Sequence, residues 1–242
     1  MPDGAVLLTR PLADSRETAA FLAARGIDTV IAPLMEIAVR DEVPPLADVQ
    51  AVLITSANGL RAFAGQSARR DIPVFAVGDA SARAAGAAGF VTVESAAGDV
   101  HDLANLVRRR LRPAVGALLH PAGTVLAGDL AAMLAADGFD VRRYVAYAAK
   151  PADRLPDAAV QALRDGTIAA VLLYSPRTAT LFRDLADAAG MARYCAKIEA
   201  LCLSQAVMDA LSPMVFRDIR VALRPDQASL LSLLDIKGEK LH

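Results

Sequence analysis

The sequence predicts an α/β fold of two related lobes, each a five-stranded parallel sheet with flanking helices. Two observations predict this class. Short apolar runs alternate with alanine-rich amphipathic segments, and the alternating pattern occurs twice in the chain. Such alternation is typical of β-α-β units, whose parallel strands are buried on both faces. A repeat of about half the chain length indicates a duplicated domain, because solenoid repeats are much shorter.

Two pairs of segments carry the repeat. Residues 52–56 (VLITS) and the helical segment after them return as residues 171–175 (VLLYS) with their own helical segment. Residues 7–28 return as residues 118–140, and both copies end in Leu-Ala-Ala-x-Gly-x-Asp. The copies alternate along the chain, so the two lobes are expected to interleave in sequence.

The individual elements follow from short apolar runs and from the residues that break them. Runs of four to six apolar residues suit buried strands, and strands are predicted over 5–9, 29–31, 51–54, 74–77, 91–93, 117–119, 141–144, 170–174, 199–203 and 219–223. Helices are predicted between them, for instance over 14–25, 57–68, 79–88, 99–111, 127–136, 157–164, 177–188 and 226–234. Gly26, Gly89 and Gly138 follow three of these helices, where a left-handed residue commonly ends a helix.

Two extended segments break the alternation, at residues 35–39 and 145–150, and prolines flank both of them. We interpret these segments as the crossings between the lobes, paired as a two-strand hinge. One lobe then comprises residues 1–34 and 151–242, and the other comprises residues 40–144. The alternative is a single continuous cut near the middle of the chain.

Composition excludes several classes of protein. The chain has 242 residues, of which 55% are hydrophobic, so it can fill a substantial core. No apolar stretch approaches the roughly 18 residues that a membrane-spanning helix needs. The first predicted strand begins almost at the N-terminus, so we expect no signal peptide and a cytoplasmic protein. A net charge of -1 favours neither a nucleic-acid nor a membrane partner.

No metal or cofactor is predicted. Cys195 and Cys202 form no zinc or redox motif, and His101, His120 and His242 lack the spacing of metal ligands, so we interpret the histidines as incidental. The glycine spacing matches neither a dinucleotide loop nor a phosphate loop. Any chemistry must therefore use backbone amides and hydroxyl groups, with a tyrosine as a further candidate.

Ligands of open α/β sheets gather beyond the carboxyl ends of the strands. Small or hydroxyl-bearing residues occupy those positions here, and most of them open a helix. Helix starts offer unpaired N–H groups and a partial positive charge, which suit a carboxylate. Each Ser or Thr at such a position also has a structural explanation as a helix cap. Six such strand ends facing one crevice nevertheless indicate a ligand site.

Several short motifs resemble the uroporphyrinogen-III synthase family. They are residues 6–11 (VLLTRP), 32–37 (APLMEI), 54–59 (ITSANG), 76–82 (AVGDASA), 145–147 (VAY), 174–176 (YSP) and 222–225 (ALRP). Each motif alone is weak evidence for the family. Together the motifs extend over nearly the whole chain, and their order and spacing are strong evidence. The resemblance implies two flavodoxin-like lobes joined by a two-strand hinge, and a monomer whose cleft is complete within one chain.

The resemblance also implies a cyclising lyase whose substrate is hydroxymethylbilane, a linear tetrapyrrole rich in carboxylates. The family removes the terminal hydroxyl group, inverts the last pyrrole ring through a spirocyclic intermediate and closes the macrocycle. Because spontaneous closure gives the uninverted isomer, the enzyme must hold the two ends of the chain in one geometry. The alternative is a non-catalytic tetrapyrrole-binding or sensor protein on the same fold.

Tyr147 stands where the family carries a tyrosine in the return crossing, and its phenol is the implied acid for departure of hydroxide. The structural alternative is a hinge tyrosine that bonds to backbone, and Tyr144 is a second candidate acid. Arg10 is implied to meet a substrate carboxylate or, alternatively, to pair with Asp14. Further implied carboxylate or pyrrole contacts are Thr55, Ser56, Asn58, Gly78, Ser81, Ser175 and Ser204. The chain departs from the family at residues 203–207, where a glycine and paired threonines are common, so those threonine roles are not carried over.

Overall fold

The computed structural model describes residues 4–124 and 129–234. These residues divide into two compact units. Unit 1 contains the described residues up to Glu36 together with those from Lys150 onward, and unit 2 is Ile37–Ala149.

Strands and helices alternate along the described residues. The strands are β1 (Ala5–Leu8), β2 (Thr29–Ile31), β3 (Met35–Val39), β4 (Val49–Ile54), β5 (Val74–Ala76), β6 (Val93–Ser95), β7 (Ala117–Gly123), β8 (Val141–Pro151), β9 (Ile168–Leu173), β10 (Glu199–Cys202) and β11 (Asp218–Val221). The α-helices are α1 (Leu12–Ala23), α2 (Ala57–Gln66), α3 (Asp79–Ala87), α4 (Val100–Arg110), α5 (Leu130–Ala135), α6 (Asp157–Arg164), α7 (Pro176–Ala188), α8 (Ala192–Cys195), α9 (Gln205–Asp209) and α10 (Gln227–Leu231).

Unit 1 is built on a parallel sheet with the strand order β2-β1-β9-β10-β11. Numbered within the unit, this order is 2-1-3-4-5, the order of flavodoxin-like sheets. Alternate residues of β1 enter different clusters, because neighbouring side chains of a strand point to opposite faces. Leu7 packs in the cluster around Phe182, whereas Val6 and Leu8 pack in the cluster around Leu22.

Unit 2 repeats this spatial strand order, although β4, β5 and β6 precede β7 and β8 in the chain. Its sheet has the order β3-β8-β7-β4-β5-β6, in which β7 and β8 correspond to β1 and β2, and β4 corresponds to β9. The sequence repeat predicts the same correspondence. The two faces are again both covered: Val52 and Ile54 pack in the cluster around Phe63, and Leu53 packs in the cluster around Leu103.

The sheet of unit 2 has one strand more than the predicted five, because β3 lies beside β8. The N–H of Arg40 donates to the carbonyl of Ala146, and the N–H of Ala152 donates to the carbonyl of Leu34, so the pair is antiparallel. The strand predicted over 141–144 and the crossing predicted over 145–150 form one continuous strand, since no turn residue separates them. That β3 and β8 act as a hinge stays a prediction.

Smaller differences from the predicted elements lie at the ends of strands and helices, and the strand predicted over 91–93 is observed as Val93–Ser95. The helix predicted over 127–136 is observed from Leu130 to Ala135, and residues 127 and 128 lie outside the described residues. The short helices α8 and α9 were not predicted, because neither is long enough to show helical periodicity in its sequence. Within residues 4–124 and 129–234, none of the helices combines the length and apolarity needed to cross a bilayer.

Candidate functional site

The strand order reverses at one point in each sheet, between β1 and β9 in unit 1 and between β7 and β4 in unit 2. Flavodoxin-like sheets bind ligands at this switch point, outside the carboxyl ends of the strands, because the connections on either side leave in opposite directions. Polar side chains occupy both switch points of this protein. The two sets differ in chemistry, and each is described within its own unit.

At the switch point of unit 2, α2 begins directly after β4. Ser56 is the N-cap of α2, with φ -155° and ψ 149°, and its Oγ accepts a hydrogen bond of 3.0 Å from the N–H of Gly59. A Cβ atom on Gly59 would lie 2.6 Å from the carbonyl oxygen of Pro121 in β7. The glycine therefore allows the first turn of α2 to pack directly on β7, which places Ser56 at the switch point.

Tyr147 reaches the same place from β8. Its Oη lies 3.3 Å from Ser56 Oγ, and either hydroxyl can donate. The pairing of β7 with β8 is regular up to Ala122 opposite Val145, but Gly123 stands opposite Tyr147, so β8 contains one extra residue. This irregularity is a β-bulge, a feature that redirects a side chain. Because of it, Tyr147 packs against the same cluster as Tyr144, although an odd spacing in a regular strand would put them on opposite faces.

Gly123 makes room for the ring of Tyr147. A Cβ atom on Gly123 would lie 2.9 Å from Cζ and 3.1 Å from Oη of Tyr147. Arg143 holds this strand end from β8, because its Nη2 donates to the carbonyl oxygens of Gly123 and Thr124, both at 2.8 Å. The position of the phenol therefore depends on a residue without a side chain in β7.

His120 is the buried polar residue of this switch point. Its side chain extends from β7 and is almost fully enclosed, and Nε2 lies 3.0 Å from Thr55 Oγ1. Burial lowers the pKa of His120 to about 4, with a smaller contribution from the charge of Arg143. The imidazole is therefore neutral near pH 7. We refer to Thr55, Ser56, His120, Gly123 and Tyr147 as the hydroxyl cluster.

Tyr144, the second candidate acid, makes a hydrogen bond to the backbone. Its hydroxyl donates a hydrogen bond of 2.6 Å to the carbonyl oxygen of Glu42. Burial raises the pKa of Tyr144, and the nearby Glu42 carboxylate adds to that effect. The hydroxyl proton of Tyr144 is thus held by the backbone of the segment that follows β3.

An ion pair lies at the switch point of unit 1. Arg10 follows β1, and its Nη2 lies 3.1 Å from Oδ2 of Asp14, which is buried. Nη1 of Arg10 donates to Oε1 of Gln227 at 3.1 Å, and the guanidinium stacks 4.6 Å from the ring centroid of Tyr174. The local pair with Asp14, one of the two predictions for Arg10, is therefore present. Thr9 ties β1 to β9, because its Oγ1 donates to the carbonyl oxygen of Leu172 at 2.9 Å.

The other predicted site residues stand at helix starts outside the hydroxyl cluster. Ser175 caps α7 as Ser56 caps α2, and accepts from the N–H of Thr178 at 3.2 Å. Gly78 precedes α3, and a Cβ atom there would meet nothing within 4 Å, whereas Ser81 is buried in that helix. The remaining two are Asn58, whose Oδ1 accepts from Arg61 at 2.6 Å, and Ser204, which precedes α9 and makes no cap bond.

The structure thus brings together Thr55, Ser56 and Tyr147 among the predicted residues, and adds His120 and Gly123. The interpretation of His120 as incidental did not anticipate its bond to Thr55. The repeat could have indicated a polar role for His120, because this residue occupies the position of Thr9 in the first copy. Across residues 4–124 and 129–234, no three side chains of His, Cys, Asp or Glu are grouped as metal ligands.

The strand order and the polar switch points define a two-unit flavodoxin-like α/β protein. The family model described as uroporphyrinogen-III synthase HemD matches residues 16–232. The chain belongs to the uroporphyrinogen-III synthase family, whose members are cyclising lyases of haem biosynthesis. The resemblance found in the sequence motifs is confirmed.

One solved structure agrees with the fold, and a second is reported beside it. A uroporphyrinogen-III synthetase from Helicobacter pylori is 14% identical, with a TM-score of 0.63 over 95% of this chain and 97% of that one. A mutant uroporphyrinogen III synthase from Thermus thermophilus is 18% identical, with a TM-score of 0.46 over 96% of this chain and 98% of that one. No curated protein sequence matches the chain. The likeness to the first structure confirms the predicted fold.

Proposed function

We propose that this protein is a uroporphyrinogen-III synthase, which cyclises hydroxymethylbilane with inversion of the terminal pyrrole ring and loss of water. The family match over residues 16–232 is the observation that carries the proposal. The pair formed by Tyr147 and Ser56 at the switch point of unit 2 supplies a mechanism for it.

In the proposed reaction, Tyr147 is the general acid. The C–O bond of the hydroxymethyl group breaks, the electron pair leaves with oxygen, and the phenol proton converts the departing hydroxide to water. Ser56 Oγ accepts from the N–H of Gly59, so its own hydrogen can be donated to the phenolate that forms. The start of α2 carries a partial positive charge and favours the same negative charge.

The ring inversion follows from the electrophilic carbon that this step leaves. The substituted carbon of the last pyrrole ring attacks it, and the new C–C bond gives the spirocyclic intermediate. The bond between the last ring and its original methylene carbon then breaks. The same methylene carbon forms a new bond to the unsubstituted ring carbon on the other side of the pyrrole nitrogen. A proton then leaves the ring carbon that has formed the new bond, and its loss restores the aromatic pyrrole. This proton can return to the Tyr147 phenolate. The protein ends each turnover with its starting set of protons.

The substrate's carboxylates are proposed to bind at the strand ends of both units. Helix starts supply N–H groups there, and hydroxyl groups donate beside them. The proposed contacts are Arg10, Thr55, Ser56, Asn58, Gly78, Ser81, Ser175 and Ser204. Arg10 would use the part of its guanidinium that Asp14 and Gln227 leave exposed. We further propose a cytoplasmic monomer that needs no cofactor and has no nucleic-acid or membrane partner, as the family resemblance and the net charge of -1 favour.

The test is a coupled assay in which fresh hydroxymethylbilane is supplied with and without the protein. The products are oxidised, and porphyrin isomers I and III are separated. Isomer III above the spontaneous isomer I background supports the proposal. Isomer I alone, from protein with a folded circular dichroism spectrum, would contradict it and favour a tetrapyrrole-binding protein on the same fold.

A further inference from the structure

His120 connects the two strands that meet at the switch point of unit 2. It extends from β7, is 3% exposed, and places Nε2 at 3.0 Å from Oγ1 of Thr55, the residue that follows β4. Its counterpart in the sequence repeat, Thr9, makes the corresponding connection in unit 1. Thr9 bonds across from β1 to the carbonyl oxygen of Leu172 in β9. Both copies therefore join the same pair of strands with a polar side chain.

The two connections differ in what they leave for a ligand. A carbonyl oxygen can only accept a hydrogen bond. The bond from Thr9 to Leu172 therefore does not change which hydrogens this part of unit 1 can offer to a ligand. A hydroxyl group donates once and accepts twice, and a neutral imidazole has one N–H and one bare nitrogen. The tautomer of His120 therefore decides whether Thr55 can present its hydrogen to a ligand, because that hydrogen is otherwise used on the imidazole.

We infer that His120 is a positioning residue for substrate binding: its Nε2–H donates to Thr55 Oγ1 and leaves the threonine hydrogen for a substrate carboxylate. The inference rests on the proposed function, in which Thr55 is a substrate contact. A carboxylate only accepts hydrogen bonds, so the opposite tautomer would turn the lone pairs of Thr55 toward an anion and repel it.

The surroundings of His120 fit this role. Burial and the Arg143 charge hold the pKa of His120 at about 4, so the ring is neutral near pH 7 and carries one N–H. The same condition argues against His120 as the acid of the reaction, because a neutral imidazole is a poor proton donor. The guanidinium of Arg143 is itself held by the carbonyl oxygens of Gly123 and Thr124.

The tautomer can be read directly in the full chain without substrate. We would label the histidines with ¹⁵N and record long-range ¹H–¹⁵N correlations near pH 7, where the protonated and bare ring nitrogens have different shifts. The spectrum of His120→Gln assigns the signal. An Nε2–H pattern for His120 is expected, and an Nδ1–H pattern would overturn the inference.

Variants then connect the tautomer to binding. His120→Gln retains an N–H donor on a side chain of similar reach, whereas His120→Leu fills the space without one. We expect KM for hydroxymethylbilane to rise at least about tenfold in His120→Leu and to stay within about threefold in His120→Gln, with kcat little changed in both. In a Thr55→Val background, His120→Leu should have no further effect on KM, because the hydroxyl that it positions is gone.

Two further comparisons distinguish failure of the inference about His120 from failure of the proposed function. Equal KM values for the Gln and Leu variants, or additive effects of His120→Leu and Thr55→Val, would overturn the inference, provided that circular dichroism and thermal unfolding show folded proteins. Uroporphyrin binding, followed by fluorescence, repeats the comparison without turnover. A wild-type chain that binds uroporphyrin with the same dependence on His120 but produces no isomer III would contradict the proposed function alone.

Discussion

Tyr147 Oη lies 3.3 Å from Ser56 Oγ, although the two residues are 91 positions apart in the chain. Three local features produce this contact. A β-bulge turns Tyr147 toward the cluster around Phe63, Gly123 leaves space for its ring, and Gly59 allows α2 to approach β7. The phenol therefore stands beside a hydroxyl that caps a helix, where a developing negative charge is favoured. In the proposed mechanism, these features affect the rate of the reaction as well as the stability of the fold.

Replacement of Tyr147 by phenylalanine removes the proposed acid and keeps the ring. Because general acids typically contribute about 100-fold to 10,000-fold, we expect kcat for isomer III to fall by about 100-fold or more, with KM changed less than about threefold. The measurement is the coupled isomer assay. Full turnover by Tyr147→Phe would remove the tyrosine from the mechanism.

Tyr144→Phe is the matched control for that variant, since it alters a tyrosine in the same strand. It removes the hydrogen bond to the carbonyl of Glu42, so we expect a loss of about 1 kcal/mol in unfolding free energy and near wild-type kcat. A large fall in kcat for Tyr144→Phe with a small one for Tyr147→Phe would reverse the assignment of the acid.

Gly123→Ala tests whether the position of the phenol matters. The added methyl group would lie 2.9 Å from Cζ of Tyr147, so the ring must move. We expect a cost of about 1–3 kcal/mol in unfolding free energy and a fall in kcat of at least about tenfold. Gly86→Ala is the control, because a Cβ atom there meets nothing within 4 Å in α3. That variant should keep its activity and gain up to about 1 kcal/mol in stability.

Ser56→Ala should affect both stability and rate. It removes the cap of α2, at a cost of about 1 kcal/mol, and the hydroxyl partner of Tyr147. Asp99→Ala is the control variant. It removes the cap of α4, in which the Asp99 carboxylate accepts from the N–H groups of His101 and Asp102. We expect urea unfolding to show lower stability for both variants and the isomer assay to show a lower kcat for Ser56→Ala alone. Equal activity of the two variants would exclude Ser56 from the mechanism.

Much of the fold could be predicted because the chain repeats itself. The repeat of residues 52–56 at 171–175 predicts that β4 and β9 occupy the same place in their sheets, as they do. The prediction extends to single caps. Ser56 and Ser175 share extended backbone angles and both accept from the N–H three residues later. The caps follow from the local sequence and the correspondence of the strands follows from the repeat, so both can be read from the sequence.

The remaining features depend on pairing between strands that are distant in the chain. The bulge at Tyr147 is set by the register of β8 against β7, and no residue type within β8 marks it. His120 looks like an isolated polar residue until β4 and β7 are placed side by side. The addition of β3 to unit 2 likewise depends on which strand it meets. Sequence patterns identify strands more readily than their partners, because pairing is a property of the fold.

The buried neutral state of His120 should make stability depend on pH. The pKa of His120 is lowered in the folded protein from 6.5 to about 4, mainly by burial. Between these values the unfolded chain binds a proton that the folded chain does not. The neutral state of His120 therefore costs no unfolding free energy above pH 6.5, and its contribution lowers the unfolding free energy as the pH drops toward 4. The difference corresponds to about 3 kcal/mol.

His120→Gln isolates this contribution, since glutamine does not titrate and carboxylates contribute equally to both proteins. We would measure urea unfolding of the wild type and of His120→Gln at several values between about pH 7 and pH 4. The wild type should lose about 3 kcal/mol more than the variant across that window, and little of the difference should arise above pH 6.5. Parallel curves would mean that His120 has the same pKa in the folded protein as in the unfolded chain. Burial and the bond to Thr55 would then not keep the imidazole neutral.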